Sequence, residues 1–482
     1  MTPTSAAFAG FTLLVLAVYY ALPRRGQNAW LLLASYVFIV TWAWQFAVVL
    51  CAITLVNYWL GRQLEKRPGR SQPRGWLWLG ILFNVAAILH FKNVNFYAPE
   101  LLALAARLAP GSAPSPALQF LLPLGVSYYT LQAISYLVDV SRGLLPASAN
   151  LVDFSLYMAY FPKLVAGPIE RARAFLPKLA QPRVVDNAQL ARSLTLIVVG
   201  LARKIVLADT LLALIPNSAF LQAGRYSAPD IAVYLLGYGV ALYNDFAGYT
   251  GLARGVSGLF GLELSPNFLQ PYFARTFTEF WTRWHISLSQ WLRDYIYFPL
   301  SRALARRFPN RQHAANLLLP PLVTLLVSAA WHATWLHRTL LLWGLLHAAY
   351  LIGERLLALR RPLPPPDRWR RRWQWLGMLI VFSLTLLAWV PFREGSGVAD
   401  TLAVWGRLVD VRGWMLPDWR LLIPVGLSVG LDWLQWRRQD ETVFLAWPLL
   451  ARAAALALVV AGIVIVAGLS STGSPPFVYQ GF

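Results

Sequence analysis

The chain has 482 residues, 57% of them hydrophobic and only 13% charged, with a mean hydropathy of +0.51, a composition that excludes an ordinary water-soluble globular domain. A formal charge of +21 raises nucleic acid as a partner, but the basic residues stand in short segments between apolar runs rather than on one polar domain, which argues against it. With Cys51 as its only cysteine the chain forms no intramolecular disulfide, and the apolar surroundings of that thiol suit packing better than nucleophilic chemistry.

Taken in order, residues 8–22 form a first apolar run. No positive side chain precedes it and Arg24–Arg25 follow it, the reverse of a secretory signal, so it reads as a retained helix with its N-terminus outside the cytoplasm. The run 29–60 is too long for one crossing and has basic flanks at both ends. It therefore needs an even number of crossings, with the turn at Thr41-Trp42-Ala43-Trp44-Gln45, whose indoles and amide suit an interface. Apolar segments at 76–91, 118–140, 190–215, 231–246, 317–335, 339–357, 373–390, 421–434 and 449–469 extend the count to roughly ten to twelve helices, at about 20 residues per bilayer crossing. Arg24–Arg25 and the basic clusters within 62–74, 302–311 and 360–372 mark cytoplasmic loops, which also attract anionic lipid headgroups or an acidic donor. Ala109-Pro110-Gly111 through Pro116 and the prolines of 362–366 break loops. No repeat and no long hydrophilic stretch appears, so residues 1–482 read as a single all-α membrane domain.

Two segments depart from this pattern. Residues 160–171 mix Pro162, Lys163, Gly167, Pro168, Glu170 and Arg171 into an apolar context, which suits a re-entrant loop covered by protein. Residues 276–300 carry Trp281, Trp284, Leu288, Trp291, Leu292 and Tyr295 at helical spacing beside charged residues, predicting an amphipathic helix along or dipping into the membrane.

Four of the six histidines, His285, His332, His337 and His347, fall in or beside helices of the second half. Polar groups at membrane depth are costly and mark function, although a hydrogen-bonded structural histidine explains any one of them alone. Metal ligation fails on geometry. On one helix His332 and His337 stand about 140° apart and His337 and His347 about 80°, with no companion carboxylate at ligand spacing. A serine hydrolase is equally unsupported, since no Gly-x-Ser-x-Gly occurs and Ser127, Ser287 and Ser289 lack a recognisable acid partner. What survives is an imidazole base that takes the proton of an acceptor hydroxyl as it attacks a thioester. A second histidine, or a nearby Arg or Asp, would orient the acceptor or stabilise the oxyanion.

The run Phe280-Trp281-Thr282-Arg283-Trp284-His285-Ile286-Ser287-Leu288-Ser289-Gln290-Trp291-Leu292-Arg293-Asp294-Tyr295-Ile296-Tyr297-Phe298-Pro299-Leu300 closely resembles the hallmark of the membrane-bound O-acyltransferases. Ser328-Ala329-Ala330-Trp331-His332-Ala333-Thr334-Trp335 and Leu342-Trp343-Gly344-Leu345-Leu346-His347 resemble the segment holding that family's catalytic histidine. Phe161-Pro162-Lys163-Leu164-Val165-Ala166-Gly167-Pro168-Ile169 is similar to its Pro and Gly-Pro segment. Pro476-Phe477-Val478-Tyr479-Gln480-Gly481-Phe482 is similar to the tail of the alginate O-acetylating bacterial branch.

The resemblance implies an all-α polytopic fold of re-entrant and amphipathic helices around a funnel and channel. It also implies transfer of an acetyl or similar short acyl group from a cytoplasmic thioester toward a hydroxyl of an extracytoplasmic polysaccharide or a relay partner. The donor, acetyl-CoA or an acyl-carrier, is then a substrate, with no bound cofactor and no metal. The implied partners are periplasmic or extracellular acetyltransferase and polysaccharide machinery and membrane lipids, and the implied location is the inner membrane. His332 matches the catalytic position and His285 the second histidine. Trp281, Trp284, Arg293, Asp294, Trp331, Gly167 and Pro168 line the substrate path or simply pack. Ala333 stands where the family usually has Gly, and its methyl is expected to narrow backbone approach. The rival readings are D-alanyl transfer to a teichoic acid from a carrier protein, and a non-enzymatic polysaccharide export or transport component.

Overall fold

The computed structural model describes residues 1–65, 74–108, 122–310, 312–334, 337, 339–360, 370–393, 397–410 and 418–469. The loop breakers at 109–116 and 362–366, the basic residues between 66 and 73, Trp335 and the tail motif 476–482 lie outside the described residues. Among the described residues the regular structure is entirely helical. Among these residues six helices are long and apolar enough to cross a membrane: Trp44–Leu64, Arg74–Leu101, Ala314–His332, Thr339–Arg360, Arg371–Phe392 and Leu449–Val466. The chain is thus a multi-pass membrane protein. Other apolar runs divide into shorter helices such as Ala6–Ala21, Arg24–Val40 and Val126–Ser141, and the turn inside 29–60 falls at Thr41–Ala43 as its indole and amide suggest.

The chain forms two compact units, Met1–Gln189 with Val256–Leu264, and Leu190–Gly255 with Ser265–Phe482. In the first, the crossing helices are tied by polar pairs in an apolar surround. Asn57 and Asn84 exchange side-chain amide bonds at 3.1 and 2.8 Å, and Asn28 donates to Asp153 at 2.7 Å. Such bonds join helices where apolar contact alone gives little preference. Residues 154–170 are buried throughout, as a protein-covered re-entrant segment requires. Within it Lys163 donates to Gln132 Oε1 at 2.7 Å, and a Cβ on Gly167 would overlap the backbone of Lys163. Gly167 and Pro168 therefore belong to the first unit, and glycine is needed there for close approach.

The second unit holds His285, His332, His337 and His347. Ala314–His332 and Thr339–Arg360 run side by side, and a Cβ on Gly344 would lie 2.8 Å from Ala329 Cβ and 2.9 Å from the Leu325 carbonyl. That small-residue contact lets the helices close. A second crossing joins Asn187–Leu201 to Ala228–Leu259, where a Cβ on Gly200 would meet the Gly248 carbonyl at 2.8 Å. Immediately beyond, the chain winds into a π-helical segment, Ala202–Asp209, which turns two cations inward. Lys204 pairs with Asp209 and Asp245 at 2.6 and 2.7 Å. Arg203 pairs with Asp432 and donates to Asn244 at 2.9 Å and Gln435 at 3.0 Å. Buried charges persist when paired in this way.

The segment 276–300 corrects the expectation of one continuous amphipathic helix. It is Phe277–Arg283, a break at Trp284–His285, Ile286–Leu292, a π-helical Arg293–Tyr297, and then Phe298–Arg307. Both helices open on partners outside themselves, and the break arises where the second does so. Thr276 caps the first helix through Glu279 N at 3.0 Å, and Glu354 accepts from Phe277 N at 2.6 Å. The second helix starts on Asn267, whose carbonyl accepts from Ile286 N at 2.9 Å and whose side chain accepts from Ser287 N at 3.1 Å. These bonds satisfy backbone donors that a helix start otherwise leaves open.

Candidate functional site

His285 occupies the break itself. Its φ of 41° and ψ of 54° are left-handed, a conformation rare and strained for a residue with a side chain. Its Nδ1 lies 3.2 Å from Asn267 Oδ1. Because the backbone N–H of Ser287 and the hydroxyl of Ser287 also point at that atom, at 3.1 and 2.9 Å, it is the amide oxygen and can only accept. The proton of a neutral His285 therefore sits on Nδ1, and Nε2 carries the lone pair. His285 lies outside the six candidate spans, and burial pushes its imidazole down to about 3, which keeps it neutral.

His332 is the last residue of Ala314–His332 and is 3% exposed. Its ring stands 4.6 Å from that of Trp331, 5.7 Å from Trp343 and 5.5 Å from Phe392. Trp331 also packs edge-on with His285, at 6.3 Å, so one indole touches both histidines. Ala333 follows with φ −66° and ψ 143° and donates to the Ala329 carbonyl at 2.8 Å. Any side chain accepts that backbone, so no glycine is required to end the helix here.

The other sequence candidates divide. Trp281 packs on Trp343 and His347 at 6.0 and 5.1 Å, and Trp284 is sandwiched by Phe280 and Trp389 at 5.7 and 4.8 Å. Both belong to the aromatic core around the histidines. Arg293 and Asp294 lie on the π-helical segment, which has no buried residue, with Nε and Oδ1 3.8 Å apart. His337 is turned aside, and its Nε2 meets the Arg393 carbonyl at 3.2 Å. His347 lies fully buried between Trp281, Trp343 and Trp389.

Several residues escaped the sequence reading. Asn267, one loop residue among many, fixes His285. A cavity of about 420 Å³ is lined by Arg192, Arg254, Arg283, Gln270, Asp440 and Glu441, among others. A second, narrow cavity shares Arg254, Gln270 and Glu441 and continues to Asn267. Arg254 holds Glu441 with two bonds of 2.5 and 2.6 Å. Burial raises the Glu441 carboxyl, but the bonds and charges of Arg254 and Arg192 outweigh it and leave the group below the usual carboxylate range. Glu279 is likewise below it, because burial is outweighed by Arg275 and Arg283. For the charged ones the signal was charge inside otherwise apolar sequence, which does not say which partners meet; Asn267 and Gln270 gave none.

Residues 87–392 match MBOAT, the membrane-bound O-acyltransferase family. The chain is 37% identical, over 85% of its length and 78% of the relative's, to a probable alginate O-acetylase of Azotobacter vinelandii. It is 29% identical to a peptidoglycan O-acetyltransferase of Helicobacter pylori, over 82% of this chain and 77% of that one. With a teichoic acid D-alanyltransferase of Streptococcus thermophilus it shares 30% identity over 56% of this chain and 68% of the relative. This chain therefore belongs to the membrane-bound O-acyltransferase family and is an O-acyltransferase.

Proposed function

We propose that the protein moves an acetyl or similar short acyl group from a cytoplasmic thioester to a hydroxyl of an extracytoplasmic polysaccharide, or to a relay partner that acylates it, with His332 as the base and His285 as its helper. The observation that carries this reading is the placement of two histidines against one indole, Trp331, in an aromatic core, near a polar cavity that reaches the residue holding one of them. His332 takes the acceptor proton as the oxygen attacks the thioester carbonyl. The C–S bond then breaks and the proton passes to the departing thiolate, so no external acid is consumed. The C-terminal carbonyls of its helix favour the transient imidazolium by roughly 0.3–1 kcal/mol, and exclusion of water strengthens each electrostatic contact.

Donor entry on the arginine-rimmed side is supported by charge. Arg360 and Arg371 mark the same ends of their antiparallel helices as the basic residues preceding Ala314–His332, and such ends face the cytoplasm. The same rule supports the inner membrane and an extracytoplasmic N-terminus. Similarity to an alginate O-acetylase and a peptidoglycan O-acetyltransferase supports a glycan acceptor and polysaccharide-modifying partners.

D-Alanyl transfer is the second reading, favoured by the shorter match to a teichoic acid enzyme; the export component gives way to an acyltransferase. Inside-out membrane vesicles given radiolabelled acetyl-CoA, acetyl-loaded carrier protein or D-alanyl-loaded carrier protein separate them. Lumenal label from either acetyl donor supports acetyl transfer, and label from D-alanyl carrier alone overturns it.

A further inference from the structure

Four buried nitrogens without hydrogen-bond partners among the described residues, His347 Nδ1 and Nε2, Trp343 Nε1 and Trp281 Nε1, belong to three mutually packed rings that reach His332 through Trp343. His347 is fully buried. Its ring lies 5.1 Å from Trp281 and 5.2 Å from Trp343, both edge-on, and Trp343 in turn lies 5.7 Å from His332. Buried polar groups are ordinarily satisfied, so a group of unsatisfied ones marks where a small polar species fits. Structural packing alone accounts poorly for an imidazole here, since phenylalanine fills the same aromatic cage without the desolvation cost. The donor inventory selects the species. Two indole N–H groups and the N–H of a neutral imidazole donate, and one imidazole nitrogen accepts. Two of these N–H groups suit an oxygen that takes two hydrogen bonds, whether the carbonyl of the acyl thioester or an ordered water, and water alone also donates to the accepting imidazole nitrogen. His347 stands thirteen residues before Arg360, about 20 Å along the helix, which lies within a hydrocarbon core of roughly 30 Å.

Resting on the acyl-transfer reading, we propose that His347 is a positioning residue which, with Trp281 and Trp343, holds a hydrogen-bonded oxygen beside His332. Loss of this oxygen site slows the chemical step rather than weakening donor capture, because His332 and the basic helix ends on the proposed donor side remain.

The test uses the full-length protein in proteoliposomes with a radiolabelled acetyl thioester and compares wild type with His347→Phe, His347→Gln and Trp343→Phe. Phenylalanine keeps the aromatic cage at position 347, so thermal unfolding should match wild type. Transfer by His347→Phe should fall tenfold or more in kcat with little change in KM, and the glutamine, which restores a donor and an acceptor, should recover part of it. If His347→Phe does not fold, the same kcat loss in Trp343→Phe, which removes one N–H and keeps the ring stack, supports the site. Discrimination between the thioester and its non-carbonyl thioether analogue that disappears in the variants identifies the acyl carbonyl as the occupant. A changed pH profile and solvent isotope effect with discrimination intact identifies water. Wild-type kcat and pH profile in the folded variants overturn the proposal, whereas a wild type inactive with every thioester overturns the acyl-transfer reading beneath it.

Discussion

His285 donates from Nδ1 to Asn267 Oδ1 across 3.2 Å, and the same oxygen starts the helix that follows His285. One side chain thus sets both the tautomer of the imidazole and the backbone break that presents it. Replacement of Asn267 by Ala should remove a helix cap worth about 0.5–2 kcal/mol and let the ring rotate. Acyl transfer should drop on the order of a hundredfold, the scale of a small misplacement at a reacting centre. Initial rates alongside thermal unfolding check this; an unchanged kcat would show that His285 is not held by Asn267 for catalysis.

Gly344 sets the spacing that brings Trp343 to His332. Valine there places side-chain atoms against Ala329 and the Leu325 carbonyl, and overpacking of this kind costs typically about 1–3 kcal/mol. Gly344→Val should lower the unfolding temperature in detergent and reduce transfer, while Gly353→Val, at a glycine with open space around it, should leave both near wild type.

Ala333 offers a test in the other direction. Its backbone suits any residue, so Ala333→Gly should change kcat less than about twofold, a shift under roughly 0.4 kcal/mol. A large gain on restoring the residue usual in the family would instead assign the methyl a restraining role in the channel.

The Arg254–Glu441 pair predicts an acid limit. The folded carboxyl of Glu441 lies below its ordinary value, so its contribution to stability is complete above the unfolded value, near 4.3, and is lost as pH falls through the lower, folded value. Unfolding temperature attributable to the pair should be level from pH 7 to about 5 and decline below about 4. Glu441→Gln should flatten that decline, which a pH series of melting curves on both proteins measures; an identical acid decline would remove Glu441 from the cause.

Composition alone carried the membrane class, because burying this much apolar surface leaves water no role as the main solvent. The turn at Thr41–Ala43 and the buried course of residues 154–170 were also legible, since interfacial indoles and misplaced prolines have local physical meaning. The break at His285 was not. Local periodicity favours a continuous helix there, and Asn267, on a separate segment, outbids it by accepting from Ile286 N and Ser287 N. The Arg203 and Lys204 pairs were hidden for the same reason, as their partners lie 229 residues away for Asp432 and on another helix for Asp245. Motif resemblance marked His332 and His285; it could not show that Trp331 touches both or that Arg293 and Asp294 lie on a segment with no buried residue.

The most direct measurement is single-turnover acyl transfer by purified His332→Ala in proteoliposomes, with circular dichroism and thermal unfolding confirming the fold. The expected result is a protein that unfolds like wild type and transfers acyl groups at least about a hundredfold more slowly, the range lost with a general base. Transfer at the wild-type rate by that folded variant would contradict His332 as the base.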